Sequence, residues 1–137
     1  HARLVEKTDG DRKKGLFPSG HSAKGFFLAD SFARLLITNG VPSWWRQSEP
    51  PSVIITEGAI DFLTVGTHYG CYEYAPAVLG ILSGSWSDEL AARIPTECRV
   101  IVKVHRDEAG QKYRDQICRS LSGRCRVFVG DREVAHG

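Results

Sequence analysis

The chain has 137 residues, 42% of them hydrophobic and 25% charged, so it can form one domain with a single buried core. The formal net charge of +2 is too small to indicate nucleic acid by itself, and any such partner must be argued from local sites. No apolar run approaches membrane-spanning length and no signal-peptide pattern opens the chain, so we expect no membrane partner.

The chain begins with His1 and contains no Met. We therefore expect a processed product or a fragment of a longer protein, whose function is shared with other segments. Its four cysteines lack the close pairs that metal ribbons need. We expect scattered free thiols in a reducing cytoplasm rather than a disulfide framework. The cysteines are Cys71, Cys98, Cys118 and Cys125.

Residues 1–51 are predicted to form a lead-in segment. The first 25 residues are polar and glycine-rich, which indicates turns and a short hairpin. A helix is predicted from Asp30 to Thr38, with Asp30 or Ser31 as its cap. The loop that follows holds Trp44 and Trp45, which we expect to cover the edge of the core rather than to stack on a base.

From residue 52 to residue 130 the pattern becomes regular. Short aliphatic runs predict strands at 53–56, 77–82, 100–104 and 126–129, and helices are predicted at 59–68, 87–94 and 111–121. Strands that are apolar on both faces and alternate with helices indicate a parallel sheet. We therefore predict an open α/β sheet of about four mainly parallel strands, with helices on both faces and a tail at 131–137. Ligands of such sheets bind outside the carboxyl ends of the strands.

Two of the predicted strands are followed by acidic residues. Glu57 and Gly58 follow the first strand, and Asp107 lies shortly after the third. The carboxyl ends of parallel strands share one edge of a sheet, so we expect Glu57 and Asp107 to approach each other. Close carboxylates repel unless a cation offsets them, and Mg²⁺ typically takes one or two carboxylates with water and phosphate. The sequence therefore predicts a divalent-metal site at this edge.

A simpler interpretation applies to two other acids, Asp61 and Glu108. An acid after a strand often caps the next helix or complements its dipole in the first turn, which would explain Asp61 and Glu108. Gly58 and Gly110 are expected to let the backbone leave each strand sharply.

Two segments, VIITEGAIDFLT (53–64) and VIVKVHRDEAGQKYRDQI (100–117), resemble the signature segments of the Toprim family. This catalytic domain is shared by bacterial-type DNA primases, type IA and type II topoisomerases and some nucleases. The family pattern has Glu-Gly after a strand with an Asp three residues later, then Asp-x-Asp-x-x-Gly after a later strand. The resemblance covers residues 52–130 and is closest to primases of bacteria, phages and mobile elements. It implies a Toprim-like, Rossmann-like sheet.

The resemblance also implies roles for individual residues. Glu57 matches the family's catalytic acid and Asp107 matches the second, metal-binding Asp. Gly58, Asp61 and Gly110 match framework positions. The metal would be Mg²⁺ or Mn²⁺, held by Glu57, His105, Asp107 and Glu108.

His105 is the departure from the family pattern, which has an Asp at this position. Imidazole is a poor ligand for Mg²⁺ and a better one for Mn²⁺ and softer ions. Three explanations stay open: a degenerate site kept for binding, a site that uses Mn²⁺ or holds Mg²⁺ through the remaining acids, or a substitution particular to this chain. A lone His at a strand end is otherwise often a hydrogen-bonded surface residue.

Nucleic-acid contacts are predicted from basic residues that flank this edge, since affinity for nucleic acid is mainly electrostatic. They are Lys103, Arg106, Lys112 and Arg114, with Arg119, Arg124 and Arg126 further along the chain. A solvated face with local ion pairs explains any single one of them equally well.

The resemblance implies divalent-metal-dependent nucleotidyl transfer in primer synthesis during DNA replication. The expected partners are a single-stranded template, nucleotides, and further domains of the same protein or a helicase. Two alternatives remain: a Toprim nuclease, and a noncatalytic nucleic-acid-binding module with a degenerate metal site.

Overall fold

The computed structural model describes residues 25–70, 72–82, 85–130 and 132–134, with the backbone alone at 132 and 133. The elements are β1 (Phe27–Ala29), α1 (Ser31–Asn39), β2 (Ser52–Glu57), α2 (Gly58–Tyr69), β3 (Ala77–Ile81), α3 (Asp88–Arg93), β4 (Arg99–Lys103), α4 (Glu108–Leu121), β5 (Arg126–Val129) and β6 (Arg132–Glu133). The turns and short hairpin predicted at the start of the chain, and Cys71, lie outside the described residues.

The strands form one sheet in the order β1-β3-β2-β4-β5-β6. The central four strands pair in parallel, which confirms the predicted α/β sheet with four parallel strands. The edge strands β1 and β6 pair antiparallel with β3 and β5 and were not predicted. Strand β1 has three residues and β6 has two, which are too few for an alternating pattern to be recognised in a sequence.

One face of the sheet carries the main core. Alternate strand residues, such as Val53 and Ile55 of β2, are buried there against α1, α3 and α4. Ala33 and Leu36 of α1 are each only 1% exposed and belong to the same core. The predicted lead-in segment therefore contributes one strand and one helix to the sheet domain rather than standing beside it.

Helix α2 lies on the opposite face, over β2 and β3. A Cβ added at Gly80 of β3 would lie 2.8 Å from the Cβ of Phe62, so the absence of a side chain lets α2 approach the sheet closely. The predicted helices on both faces are confirmed. Among the described elements, none packs over the part of this face formed by β4 and β5.

Asp30 fixes the start of α1 and ties it to the sheet. One carboxylate oxygen accepts a hydrogen bond from Ala33 N at 2.6 Å, and the other accepts one from Val78 N at 3.0 Å. Burial raises the pKa of this carboxyl, an effect that the backbone hydrogen bonds oppose. Of the two predicted caps, Asp30 is the one used.

The tryptophans of the loop after α1 pack against Phe32 of that helix. The Phe32 ring lies 5.9 Å from Trp44 and 5.5 Å from Trp45, centroid to centroid. Trp45 also meets Tyr74 edge-on at 5.7 Å. Because Phe32 packs against the core cluster, these rings cover a core edge as predicted.

Three cysteines among the described residues are free thiols: Cys98, Cys118 and Cys125. Burial, with a smaller contribution from neighbouring Cys125, raises the pKa of Cys98 to about 12. Such a thiol is held neutral and unreactive by the core. Within the described part of the chain, no helix is both long and apolar enough to cross a bilayer.

Candidate functional site

The sheet topology brings the ends of β2 and β4 together. These strands are parallel neighbours, with Thr56 opposite Lys103 in the register. Glu57 is the last residue of β2 and His105 lies two residues beyond β4. Glu57 and His105, 48 positions apart in sequence, therefore meet at one edge of the sheet.

Glu57, Asp61 and His105 form a compact group at this edge. Glu57 Oε2 accepts a hydrogen bond from the backbone N of His105 at 3.1 Å and lies 3.9 Å from His105 Nδ1. His105 Nε2 lies 2.9 Å from Asp61 Oδ2. Because an ionised carboxylate only accepts hydrogen bonds, this contact needs a hydrogen on Nε2. The side chains of Glu57, Asp61 and His105 are 19%, 41% and 52% exposed, so solvent and ligands reach the group.

Gly58 makes this convergence possible. Its φ of +84° lies in the left-handed region that glycine adopts without strain, and α2 begins at this residue. The sharp exit turns the first helical turn back toward the sheet edge, where Asp61 reaches His105. The role of Asp61 was missed in the sequence, where it was predicted only as a framework or first-turn acid. A signal was present in its spacing of four residues from Glu57.

Asp107 caps α4 in the structure. Its Oδ1 accepts a hydrogen bond from Gly110 N at 2.9 Å, and the helix begins at Glu108, three residues earlier than predicted. Asp107 follows β4, the strand next to β2, and its predicted approach to Glu57 stays a prediction.

Gly110 is required for a reason other than the predicted sharp exit. It is a buried residue in the first turns of α4, and its φ is not among the positive values. A Cβ at this position would collide with the carbonyl oxygen of His105. The missing side chain therefore lets α4 pack directly on the backbone that carries His105.

A groove of about 670 Å³ opens beside the group, between α2, α4 and the ends of β4 and β5. Three predicted nucleic-acid contacts line it: Lys103, Arg106 and Arg114. Arg114 also pairs with its neighbour Asp115, Nη2 to Oδ1 at 2.8 Å. Asp61 and His105 lie in the same wall, so basic and acidic groups face one cavity.

Two predicted site residues pair with each other instead. Lys112 Nζ lies 2.7 Å from Glu108 Oε1, and both side chains are largely exposed on the outer surface of α4. This is an i,i+4 helix pair of the ordinary kind. Arg124 is also structural, since its guanidinium donates to the carbonyls of Ala91, Ala92 and Ile94 at the end of α3.

The donor set can be compared with the needs of a divalent cation. No group of three or more His, Cys, Asp or Glu within the described residues is arranged as a metal site. Mg²⁺ needs only one or two carboxylates, because water and phosphate fill its remaining positions. Glu57 and Asp61 meet that need, and the His105 imidazole lies against both of them, as a cation would. In the observed position, the His105 side chain occupies the space between these two carboxylates.

Comparisons with known proteins give no assignment. No family model matches the chain, and neither the curated proteins nor the solved structures give a significant match.

Proposed function

We propose that the chain is the Toprim-like domain of a primase-related protein and takes part in divalent-metal-dependent nucleotidyl transfer on nucleic acid. One observation carries the proposal: Asp61, His105 and three basic side chains line one groove at the carboxyl edge of a parallel sheet, and Glu57 contacts the same His105. Open α/β sheets bind ligands at this edge. Acidic side chains beside basic ones suit a substrate whose phosphate groups carry a bound metal cation.

Each residue has a role in this proposal. Glu57 and Asp61 would hold the metal ion, with Asp107 as the third acid of the proposed site. The bound ion would supply charge neutralisation for a triphosphate. Lys103, Arg106 and Arg114 bind phosphate oxygens and orient the strand in the groove.

Glu57 has a second role as a proton acceptor. Its Oε2 is held by the backbone N–H of His105 at 3.1 Å, which fixes the direction of the carboxylate. The other oxygen, Oε1, is the atom that can take the proton of an attacking 3′-hydroxyl.

The test is an assay of a 5′-labelled single strand incubated with nucleoside triphosphates and Mg²⁺ or Mn²⁺. We expect extended products from the wild type and at least about a hundredfold less from Glu57→Gln, as for loss of a catalytic acid or base. Glu89→Gln is the matched control, because Glu89 is an exposed acid of α3 that does not line the groove. Shortened products would instead indicate a Toprim nuclease, and unchanged activity of Glu57→Gln would contradict the proposal.

A noncatalytic nucleic-acid-binding module is the second candidate, and the position of His105 favours it. The imidazole already contacts both carboxylates, and in its protonated form it supplies a positive charge where the metal would lie. The discriminating measurement is a Mg²⁺ and Mn²⁺ titration of the wild type and of His105→Asp. Metal binding by both proteins supports the transferase, and binding by the Asp variant alone supports the module.

A further inference from the structure

The face of β4 and β5 that α2 leaves open has a regular arrangement of side chains. In β4, Val100 and Val102 are buried in the core, while Arg99 and Lys103 are exposed on the other side with half-buried Ile101 between them. The register places Arg99 beside Arg126 and Ile101 beside Phe128. We call these five residues the open-face strip: Arg99, Ile101, Lys103, Arg126 and Phe128.

The two arginines of the open-face strip are held against an aromatic ring. The guanidinium carbon of Arg99 lies 4.6 Å from the centroid of Phe128, and that of Arg126 lies 5.8 Å away. The Arg126 side chain remains 55% exposed, and its Nη1 lies 3.8 Å from Glu49 Oε2. Guanidinium groups supported on a ring lose less freedom when a ligand stacks on them. The strip therefore presents pre-oriented cationic planes to solvent.

Two carboxylates flank the open-face strip at its amino end. Glu49 and Glu97 lie near its amino end, in a depression that also touches Arg99 and Arg126. At its carboxyl end, Lys103 also lines the groove of the candidate site. An anionic chain on the strip would therefore run into the groove without crossing further carboxylates of β4 or β5.

We propose that the open-face strip binds single-stranded nucleic acid and leads it into the groove. Bases stack on the arginine planes and on Ile101, and phosphates pair with Lys103. Stacking on Arg planes or aromatic rings needs base faces that only an unpaired strand exposes, so a duplex is not the preferred ligand. The ligand class rests on the proposed function, whereas the binding itself needs neither metal nor catalysis.

The test is fluorescence anisotropy of a labelled 12-nucleotide single-stranded DNA with the full chain in EDTA. We expect Arg99→Gln/Arg126→Gln to bind about tenfold or more weakly, as for loss of a stacked base. Its dependence on salt should stay close to that of the wild type, because the proposed phosphate contact is made by Lys103, which this variant keeps. Arg34→Gln/Arg93→Gln is the matched control, because it removes two exposed arginines from α1 and α3, which pack on the other face of the sheet. This variant should bind within about twofold of the wild type.

A second measurement locates the strand directly. An oligonucleotide that carries 5-iodouracil should crosslink to the peptide containing residues 126–129, and the wild type should prefer the single strand to a duplex of the same sequence. Thermal unfolding of each variant checks that it is folded.

Several results would overturn the inference. These are equal losses in both double variants, no loss in either, no binding by the wild type, or equal binding of the duplex. Absence of binding by the wild type would favour a protein partner for this face. Failure of the proposed function is separate: a strip that binds DNA without any nucleotidyl transfer would refute the transferase alone.

Discussion

Replacement of Gly110 by Ala tests the packing that holds His105 in place. The added Cβ would collide with the carbonyl oxygen of His105 and would lie 2.7 Å from its carbonyl carbon. Both atoms belong to the backbone and cannot rotate away. Either α4 or the segment after β4 has to move, which would also disturb the contact between His105 and Asp61.

The net effect follows from two opposing terms. Ala in place of Gly in a helix gains about 1 kcal/mol from backbone propensity. Overpacking against atoms that cannot repack costs about 3 kcal/mol, the upper part of the usual range. We therefore expect Gly110→Ala to lower the free energy of unfolding by about 2 kcal/mol, which corresponds to roughly 6–10 °C in Tm for a domain of this size.

Gly66→Ala is the matched control. Gly66 lies inside α2, and an added Cβ would meet no atom within 4 Å, so this variant should gain about 0.5–1 kcal/mol. Urea denaturation followed by circular dichroism measures both changes. If Gly110→Ala is as stable as Gly66→Ala, the tight packing of α4 on His105 is refuted.

Further predictions concern buried titratable groups and a helix cap. The pKa of Cys98 is about 12 in the folded chain and 9.0 when unfolded, so the folded state loses stability as pH rises above 9. By pH 10 the free energy of unfolding, measured in urea, should fall by about 1.4 kcal/mol more for the wild type than for Cys98→Ala. The pKa of Asp30 is also raised in the folded chain, so its effect on stability has the same sign. The free energy of unfolding of the wild type, relative to Asp30→Asn, should fall as pH rises through and above 3.8. Ser87→Ala, which removes the cap hydrogen bond to Leu90 N at 3.2 Å, should cost about 1 kcal/mol by the same assay.

The sequence predicted the central sheet because its parallel strands are buried on both faces and read as continuous aliphatic runs, as in residues 53–56 and 77–82. It did not predict β1 or β6, because short edge strands are specified by the partner strand rather than by their own pattern. The meeting of Glu57 with the segment around His105 followed from strand order alone. The inward turn of Asp61 did not, because it depends on the positive φ of Gly58.

Gly110 gives a second limit of sequence reasoning. A glycine near the start of a helix suggests a turn. Here its missing side chain leaves space for the backbone of His105, which lies outside the helix. Such a requirement is tertiary and leaves no local signal. The open face of β4 and β5 was missed for a similar reason, since only the crossover helices decide which face of a strand is covered.

The most direct test of the metal site is an anomalous difference map from a crystal of the wild type soaked in Mn²⁺. The account predicts a peak between the carboxylates of Glu57 and Asp61, with the His105 ring displaced from Asp61. A map in which His105 still bonds Asp61 and manganese is absent from that edge would contradict it.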